Sequence, residues 1–194
     1  IEECTGHRPD LSRIDFEDTA VYDMLGRADT IGIFQVESAA QMQTIPRLRP
    51  TNLHEMAFEV AAVRPGVGAN DGVTHFIRRY REDVDWDYDH PLEEQALERT
   101  LGIILFQDQV NEVAIHVAGF SPREADLMRR DFSKRGNKRL LADWQQRFLE
   151  GAARNQVSTE VAEHIFWKFN GQYMFPEAHA YAFGITAYQM AWLK

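Results

Sequence analysis

The densest cluster of cations in this 194-residue sequence is Arg129-Arg130-Asp131-Phe132-Ser133-Lys134-Arg135-Gly136-Asn137-Lys138-Arg139. It straddles the end of one helical pattern and the start of the next, so several positive groups can converge on one polyanion. Arginine suits that task because its planar fork of N–H donors matches phosphate oxygens. The same run also describes a solvated helix end, where cations favour the negative end of the helix dipole. Spacing alone does not choose between the two.

Other groups carry weaker signals. The run Asp83-Val-Asp85-Trp-Asp87-Tyr-Asp89, with Glu94, imitates the oxygen ligands of a calcium loop. That loop needs glycine at its sixth position, where Tyr88 stands, and Pro91 interrupts it. A solvated acidic loop is the better expectation, and no metal site is assigned. Gly66, Gly68 and Gly72 follow a helical pattern rather than a strand, so they read as a tight turn and not as a dinucleotide fingerprint. One cysteine and no His-Glu-x-x-His exclude the common zinc patterns. No Ser/His/Asp or Cys/His arrangement stands out. His179, in the first turn of the last helix, reads on physics alone as a packed or surface residue. Gln35, Glu37 and Ser38 read as a helix cap.

The elements that must position these groups are helical almost throughout. Apolar spacing predicts helices over 16–25, from a Thr51 cap through Ala61, over 76–80 and over 105–118, the last closed by Gly119. Ser121-Pro122-Arg123-Glu124 is a start signal: a capping serine, a proline at the first helical position and a glutamate completing the box. Further amphipathic segments run over 140–153 and 159–169. A final helix starts at Pro176, with Glu177 near its positive end. Residues 30–36 and 102–106 are the only strand candidates. The fold class is mainly α with little β.

Net charge is −9, which argues against a basic nucleic-acid coat. The average hides an asymmetry. Residues 82–98 hold eight acidic groups and no Lys or Arg, while residues 121–140 hold seven Lys/Arg against three Asp/Glu, so one basic stripe can still hold an anion. No apolar run reaches the length of a membrane span. The lone Cys4 fits a reducing, cytoplasmic setting.

Four blocks, taken in order, resemble the bacterial DNA polymerase III α-subunit family and its error-prone relatives. "ADTIGIFQVESAAQM" is similar to its aromatic-Gln-x-Glu-Ser block and "FEVAAVRPG" to its Arg-Pro-Gly motif. "TLGIILFQDQVNEVAIHVAGFSPREADLMRR" resembles its Thr-x-Gly-Ile to Ala-Asp-x-x-Arg-Arg stretch, and "FPEAHAYAFGITAYQMAWLK" its last helix. The resemblance implies the end of the palm over residues 1–30 and a multi-helix fingers domain over 31–194. It implies a fragment of a longer subunit that continues past Lys194, leaving Tyr188 and Trp192 to face a missing domain. The family's metal-binding carboxylates would lie upstream of Ile1, so magnesium belongs to the palm and the fragment alone is expected not to polymerise.

By the same resemblance Arg129 and Arg130 match the paired arginines that meet the incoming deoxynucleoside triphosphate (dNTP), with Lys134 beside them. Arg64 and Arg135 are further phosphate or DNA contacts. His179 and Tyr181 would lie near the nascent base pair. The implied partners are dNTP, primer–template DNA and, through regions outside this chain, replisome subunits such as the sliding clamp, with no membrane. Pro176-Glu177-Ala178-His179 departs from the Asn-Lys-Ser-His of replicative members and is similar to the error-prone branch, and Val67 stands where proline is usual. Replicative and error-prone readings both remain open. A second function class is a non-catalytic helical interaction module, derived from a degenerate paralogue, whose basic stripe binds an acidic partner.

Overall fold

The computed structural model describes residues 2–6, 8–62, 70–82, 84–132, 138–169 and 175–194. The chain divides into two compact units, Ile1–Val63 with Ala178–Lys194, and Arg64–Glu177. Both are helical. Among the described residues there is no strand, and one isolated parallel bridge pairs Phe106 with Phe175. The expected strand over 30–36 is a series of turns, closed by the Ile33 N–H on the Thr30 carbonyl (2.9 Å). Beyond the bridge, no strand forms over 102–106 either, because the N–H groups of Leu105 and Phe106 donate to the Gln109 side chain (2.9 and 3.0 Å) instead of to a neighbouring strand.

The first unit holds α1 (Glu2–Thr5), α2 (Thr19–Gly26), α3 (Ala39–Leu48), α4 (Leu53–Ala62) and α11 (Glu177–Leu193) from Ala178 onward. Helix α2 starts at Thr19, three residues later than the apolar spacing suggests, because the Asp18 carboxylate accepts from the Ala20 N–H (2.9 Å). Ser38 and Gln41 form a reciprocal capping box on α3, so of the three residues read as a cap Ser38 serves as one, while the Glu37 carboxylate accepts from the Gly32 N–H (3.0 Å). The cap of α4 is Asn52 and not Thr51. The Asn52 side-chain oxygen Oδ1 accepts from the Glu55 N–H (2.9 Å), while the Thr51 N–H donates to the Glu55 carboxylate (2.8 Å).

The core of this unit gathers Val21, Tyr22, Leu25, Ile33, Val36, Ile45, Met56, Ala187 and Tyr188. Tyr188 is fully buried: its O–H donates to the Asp15 carbonyl (2.8 Å) and its ring lies 5.2 Å from Phe16 and 5.0 Å from Tyr22. Of the two aromatics expected to face outward, only Trp192 does, at 37% exposure. Gly184 permits the close approach of α11 to α4, since a Cβ there would lie 3.2 Å from the Ala57 nitrogen.

Helix α4 is buried from Glu55 through Ala61 and not along one stripe alone. Glu59 lies within this stretch, fully buried, and neither carboxyl oxygen has a hydrogen-bond partner among the described residues. Burial pushes this carboxyl up to about 8.

The second unit holds α5 (Asn70–Arg81), α6 (Glu94–Leu97), α7 (Gln107–Ala118), α8 (Pro122–Phe132), α9 (Lys138–Arg154) and α10 (Thr159–Lys168). Helix α5 is longer than the expected 76–80 segment and includes Gly72. The expected turn at Gly66 and Gly68 lies outside the described residues. Helix α7 is the centre, packed by α6, α8 and α9. Gly119 ends it in the left-handed conformation (φ 65°) that only glycine adopts without strain. Ser121 and Glu124 then form the expected capping box of α8, with Glu124 N–H to Ser121 Oγ at 3.3 Å and Ser121 N–H to the Glu124 carboxylate at 3.0 Å.

Val113, Ala114 and Val117 of α7 meet Trp144, Phe148 and Ala152 of α9, with Ile165 and Phe166 of α10, in one core. Trp144 donates its indole N–H to Asp131 (2.9 Å), which ties α9 to α8. Helix α9 approaches α7 so closely at Gly151 that a Cβ would fall 2.0 Å from the Ala118 carbonyl oxygen.

Gly151→Ala therefore forces two helix backbones apart. The expected loss is about 1–3 kcal/mol from overpacking, against at most ~1 kcal/mol gained in helix propensity. A lower urea midpoint for the variant checks it. Glu59 generates a pH-dependent expectation. Its carboxyl stays neutral in the fold up to about 8, yet ionises near its ordinary 4.5 in the unfolded chain. Its stabilising contribution is complete below that lower value and is lost as pH rises to the upper one. Urea midpoints should fall between pH 5 and 8 in the wild type, and Glu59→Gln should flatten the slope. An unaltered slope would assign the titration elsewhere.

Candidate functional site

The first turn of α7 organises the second unit. Its residues Gln107, Asp108 and Gln109 point in different directions, as successive helical residues must at about 100° apart. Gln109 is fully buried. Its oxygen accepts from the Leu105 and Phe106 N–H groups, and its amide donates to the Ala96 carbonyl (3.1 Å) and the Thr100 hydroxyl (2.6 Å). The turn it braces needs positive φ at both Leu101 (54°) and Gly102 (76°). Glycine is required at the second, because a Cβ would meet Arg79 and Trp86 at 2.8 Å.

Asp108 accepts from the Glu177 N–H (2.7 Å), serving as the remote N-terminal cap of α11. The Glu177 carboxylate then pairs with Arg99 at 2.9 and 3.1 Å. Arg99 also binds Glu112 at 2.9 Å and the Ala96 carbonyl at 2.9 Å. Burial alone would lower this guanidinium, but the hydrogen bonds to Glu177 and Glu112 outweigh it and hold it above its ordinary value.

Gln107 reaches the cationic group. Its oxygen accepts from Arg129 Nη1 (3.2 Å), while its own N–H is fixed on the Phe175 carbonyl (3.0 Å). Asp126 is one turn before the arginines on α8, the spacing at which side chains meet. Its Oδ1 accepts from Arg129 Nη2 at 2.6 Å and its Oδ2 pairs with Arg130 Nε at 2.9 Å. The Arg129 hydrogen bond, ahead of the charge of Arg130, holds Asp126 below the ordinary carboxylate range. Arg129 is 23% exposed and Arg130 66% exposed. The two cations that the sequence placed in one stripe are thus brought onto one carboxylate. Lys134 and Arg135 lie outside the described residues, as does Arg64.

The acidic run is not wholly solvated. Lys168 pairs with Asp89 (2.6 Å) and Glu93 (2.7 Å), and Glu93 is fully buried. Among the described residues no group of three or more His, Cys, Asp or Glu can hold a metal ion.

In the first unit, His179 and Tyr181 face different neighbours. The exposed His179 ring is 3.9 Å from Phe183, which in turn is 5.1 Å from the half-exposed Phe34. Tyr181 shares a short hydrogen bond with His54. No described helix is long and apolar enough to cross a membrane.

Reading from sequence missed Arg99, Gln107, Asp108 and Asp126. For Asp126 a signal was present, its three- and four-residue spacing to Arg129 and Arg130. The others bind residues far along the chain, and local spacing cannot reveal them.

The model of the bacterial DNA polymerase III alpha subunit finger domain matches residues 1–156. The chain is 43% identical to an error-prone DNA polymerase of Pseudomonas fluorescens, over 100% of this chain and 19% of that protein. It is 39% identical to one of Nocardia farcinica, over 100% of this chain and 17% of the relative. A third, of Anaeromyxobacter dehalogenans, is 44% identical over 97% of this chain and 17% of its own length. The chain thus spans about a fifth of the length of these curated relatives.

Arg99 generates a stability expectation. Arg99→Lys removes the planar fork that serves two carboxylates and a carbonyl together. Because the group is part-exposed, a loss of about 1–2 kcal/mol is expected in urea unfolding. A variant as stable as the wild type would show the network to be dispensable.

Proposed function

This chain belongs to the bacterial DNA polymerase III alpha subunit finger domain family, and from that premise we propose that it forms the fingers of an intact DNA polymerase. In this reading it binds the incoming dNTP and primer–template DNA for template-directed synthesis. The observation that carries the reading is the convergence of Arg129 and Arg130 on Asp126, which presents two guanidinium groups from one helix end.

The chemistry follows from charge. In nucleotidyl transfer, negative charge is carried on the β- and γ-phosphates as pyrophosphate leaves, and preorganised cations stabilise it. Arg129 supplies the held, part-buried cation and Arg130 the exposed one. Lys134 is proposed as a third contact to the triphosphate, and Arg64 and Arg135 as contacts to phosphate or the DNA backbone. His179 and Tyr181 are proposed to lie near the nascent base pair.

By family resemblance, magnesium would be held by carboxylates of the palm in the intact subunit and would supply positive charge at the reacting phosphate. The described residues do not fit it, having no cluster of ligating side chains. By the same resemblance the palm carboxylates would lie outside this stretch, which alone is proposed to be inactive. The similarity to error-prone polymerases and the acid at Glu177 favour the error-prone branch. A cytoplasmic location and a sliding-clamp partner, reached through regions outside this chain, complete the proposal.

Primer extension by the intact subunit with magnesium tests the site. Arg129→Ala combined with Arg130→Ala should lower the rate by about ten- to a hundredfold, the equivalent of ~1.5–3 kcal/mol for a charge-assisted contact. Unchanged extension would remove the arginines from the site while leaving the family intact. An inert wild type that still binds DNA would favour the non-catalytic module.

A further inference from the structure

We infer that Asp126, assisted by Gln107, is a positioning residue that sets the geometry of the arginine pair for the triphosphate. This inference rests on the triphosphate reading above. Asp126 touches no reacting atom in it and acts through the guanidinium groups.

The geometry is specific. One carboxylate splits its two oxygens between two neighbouring arginines, Oδ1 to Arg129 Nη2 (2.6 Å) and Oδ2 to Arg130 Nε (2.9 Å). On the far side of Arg129, the Gln107 oxygen takes Nη1 at 3.2 Å. Arg129 is therefore held through both terminal nitrogens, by α8 on one side and α7 on the other. Gln107 can serve as a fixed post because its backbone N–H is itself tied to Phe175.

Two effects of Asp126 oppose each other. Its negative charge offsets one of the two positive charges, which weakens attraction for a polyphosphate. Its hydrogen bonds also remove the rotamer freedom of two long side chains, an ordering cost that the ligand would otherwise bear. At this part-exposed site the high dielectric of nearby water damps the charge effect, whereas the ordering is not damped. Order prevails, so losing the carboxylate should weaken triphosphate binding despite the gain in net positive charge. Asparagine has a similar shape, but the two arginines take different oxygens, and its NH2 donor would face one of them where an acceptor stood.

The test is steady-state single-nucleotide insertion by the intact subunit with magnesium. The variants are Asp126→Asn, Gln107→Ala, the double Arg129→Ala/Arg130→Ala, and that double combined with Asp126→Asn. Asp126→Asn should raise KM for dNTP about three- to thirtyfold, within the range for directly coupled residues, and lower kcat as well, because loosened guanidinium groups stabilise the departing pyrophosphate less. The primer–template Kd should be unchanged. Gln107→Ala, which leaves the ion pairs intact, should shift KM in the same direction by less, and this keeps the test valid if Asp126→Asn impairs folding. In the background lacking both arginines, Asp126→Asn should add less than about twofold, because a positioning residue has nothing left to position.

An unchanged or lowered KM in both single variants overturns the inference, as does an equal rise in the arginine-free background. If removing the arginines lowers extension while Asp126→Asn and Gln107→Ala do not, only the positioning role falls. If removing the arginines changes nothing, the triphosphate reading falls and takes this inference with it.

Discussion

The constraint on which the second unit depends is the first turn of α7, where three consecutive polar side chains each close a separate gap. Gln109 turns inward and accepts from the backbone N–H groups of Leu105 and Phe106. Asp108 turns toward Glu177 and supplies the start of α11 with the acceptor its own sequence does not provide. Gln107 turns toward α8 and steadies Arg129. A helix start is well suited to this role, because its first residues are free of the ladder and its dipole favours an acid there. The Gln-Asp-Gln spacing is therefore one structural device and not three separate preferences.

The acidic residues show how far environment decides function. The chain carries thirty Asp and Glu, yet the described ones do different work. Asp126 stays ionised because two arginines share it. Glu93 is buried but paired with Lys168, which offsets the cost of removing a charge from water. Glu59 is equally buried, has no such partner among the described residues, and is held neutral by desolvation. Net charge says nothing of these differences. It describes the average surface, whereas an anion site requires only that a few cations be held in register.

Much of the fold was legible in sequence because it rests on local chemistry. The α8 start at Ser121 to Glu124 and the α7 end at Gly119 follow from caps that span a few residues. The mainly α class follows from apolar spacing. Where local chemistry was ambiguous the reading erred. Thr51 and Asn52 are both good caps, and only geometry shows that Asn52 reaches the Glu55 N–H. Residues 30–36 are rich in apolar and β-branched side chains, but that composition suits a tight series of turns over a core as well as a strand. Tyr188 carries a hydroxyl that suggests exposure, and the fold buries it because the Asp15 carbonyl receives that hydroxyl.

The candidate site divides in the same way. Arg129 and Arg130 were visible as adjacent cations, and Asp126 lay one turn away on the same helix, within reach of a spacing argument. Gln107 was not, since its link to Arg129 crosses 22 residues of chain. Local sequence can place charges on a helix. What it cannot show is which charges are held still, because that depends on groups brought in by the fold. An arginine anchored on two sides from two helices is preorganised for an anion, while an arginine in the same stripe without such anchors must be ordered by the ligand itself. The distinction bears on catalysis, because a cation already fixed in place stabilises developing charge without reorganising during the reaction.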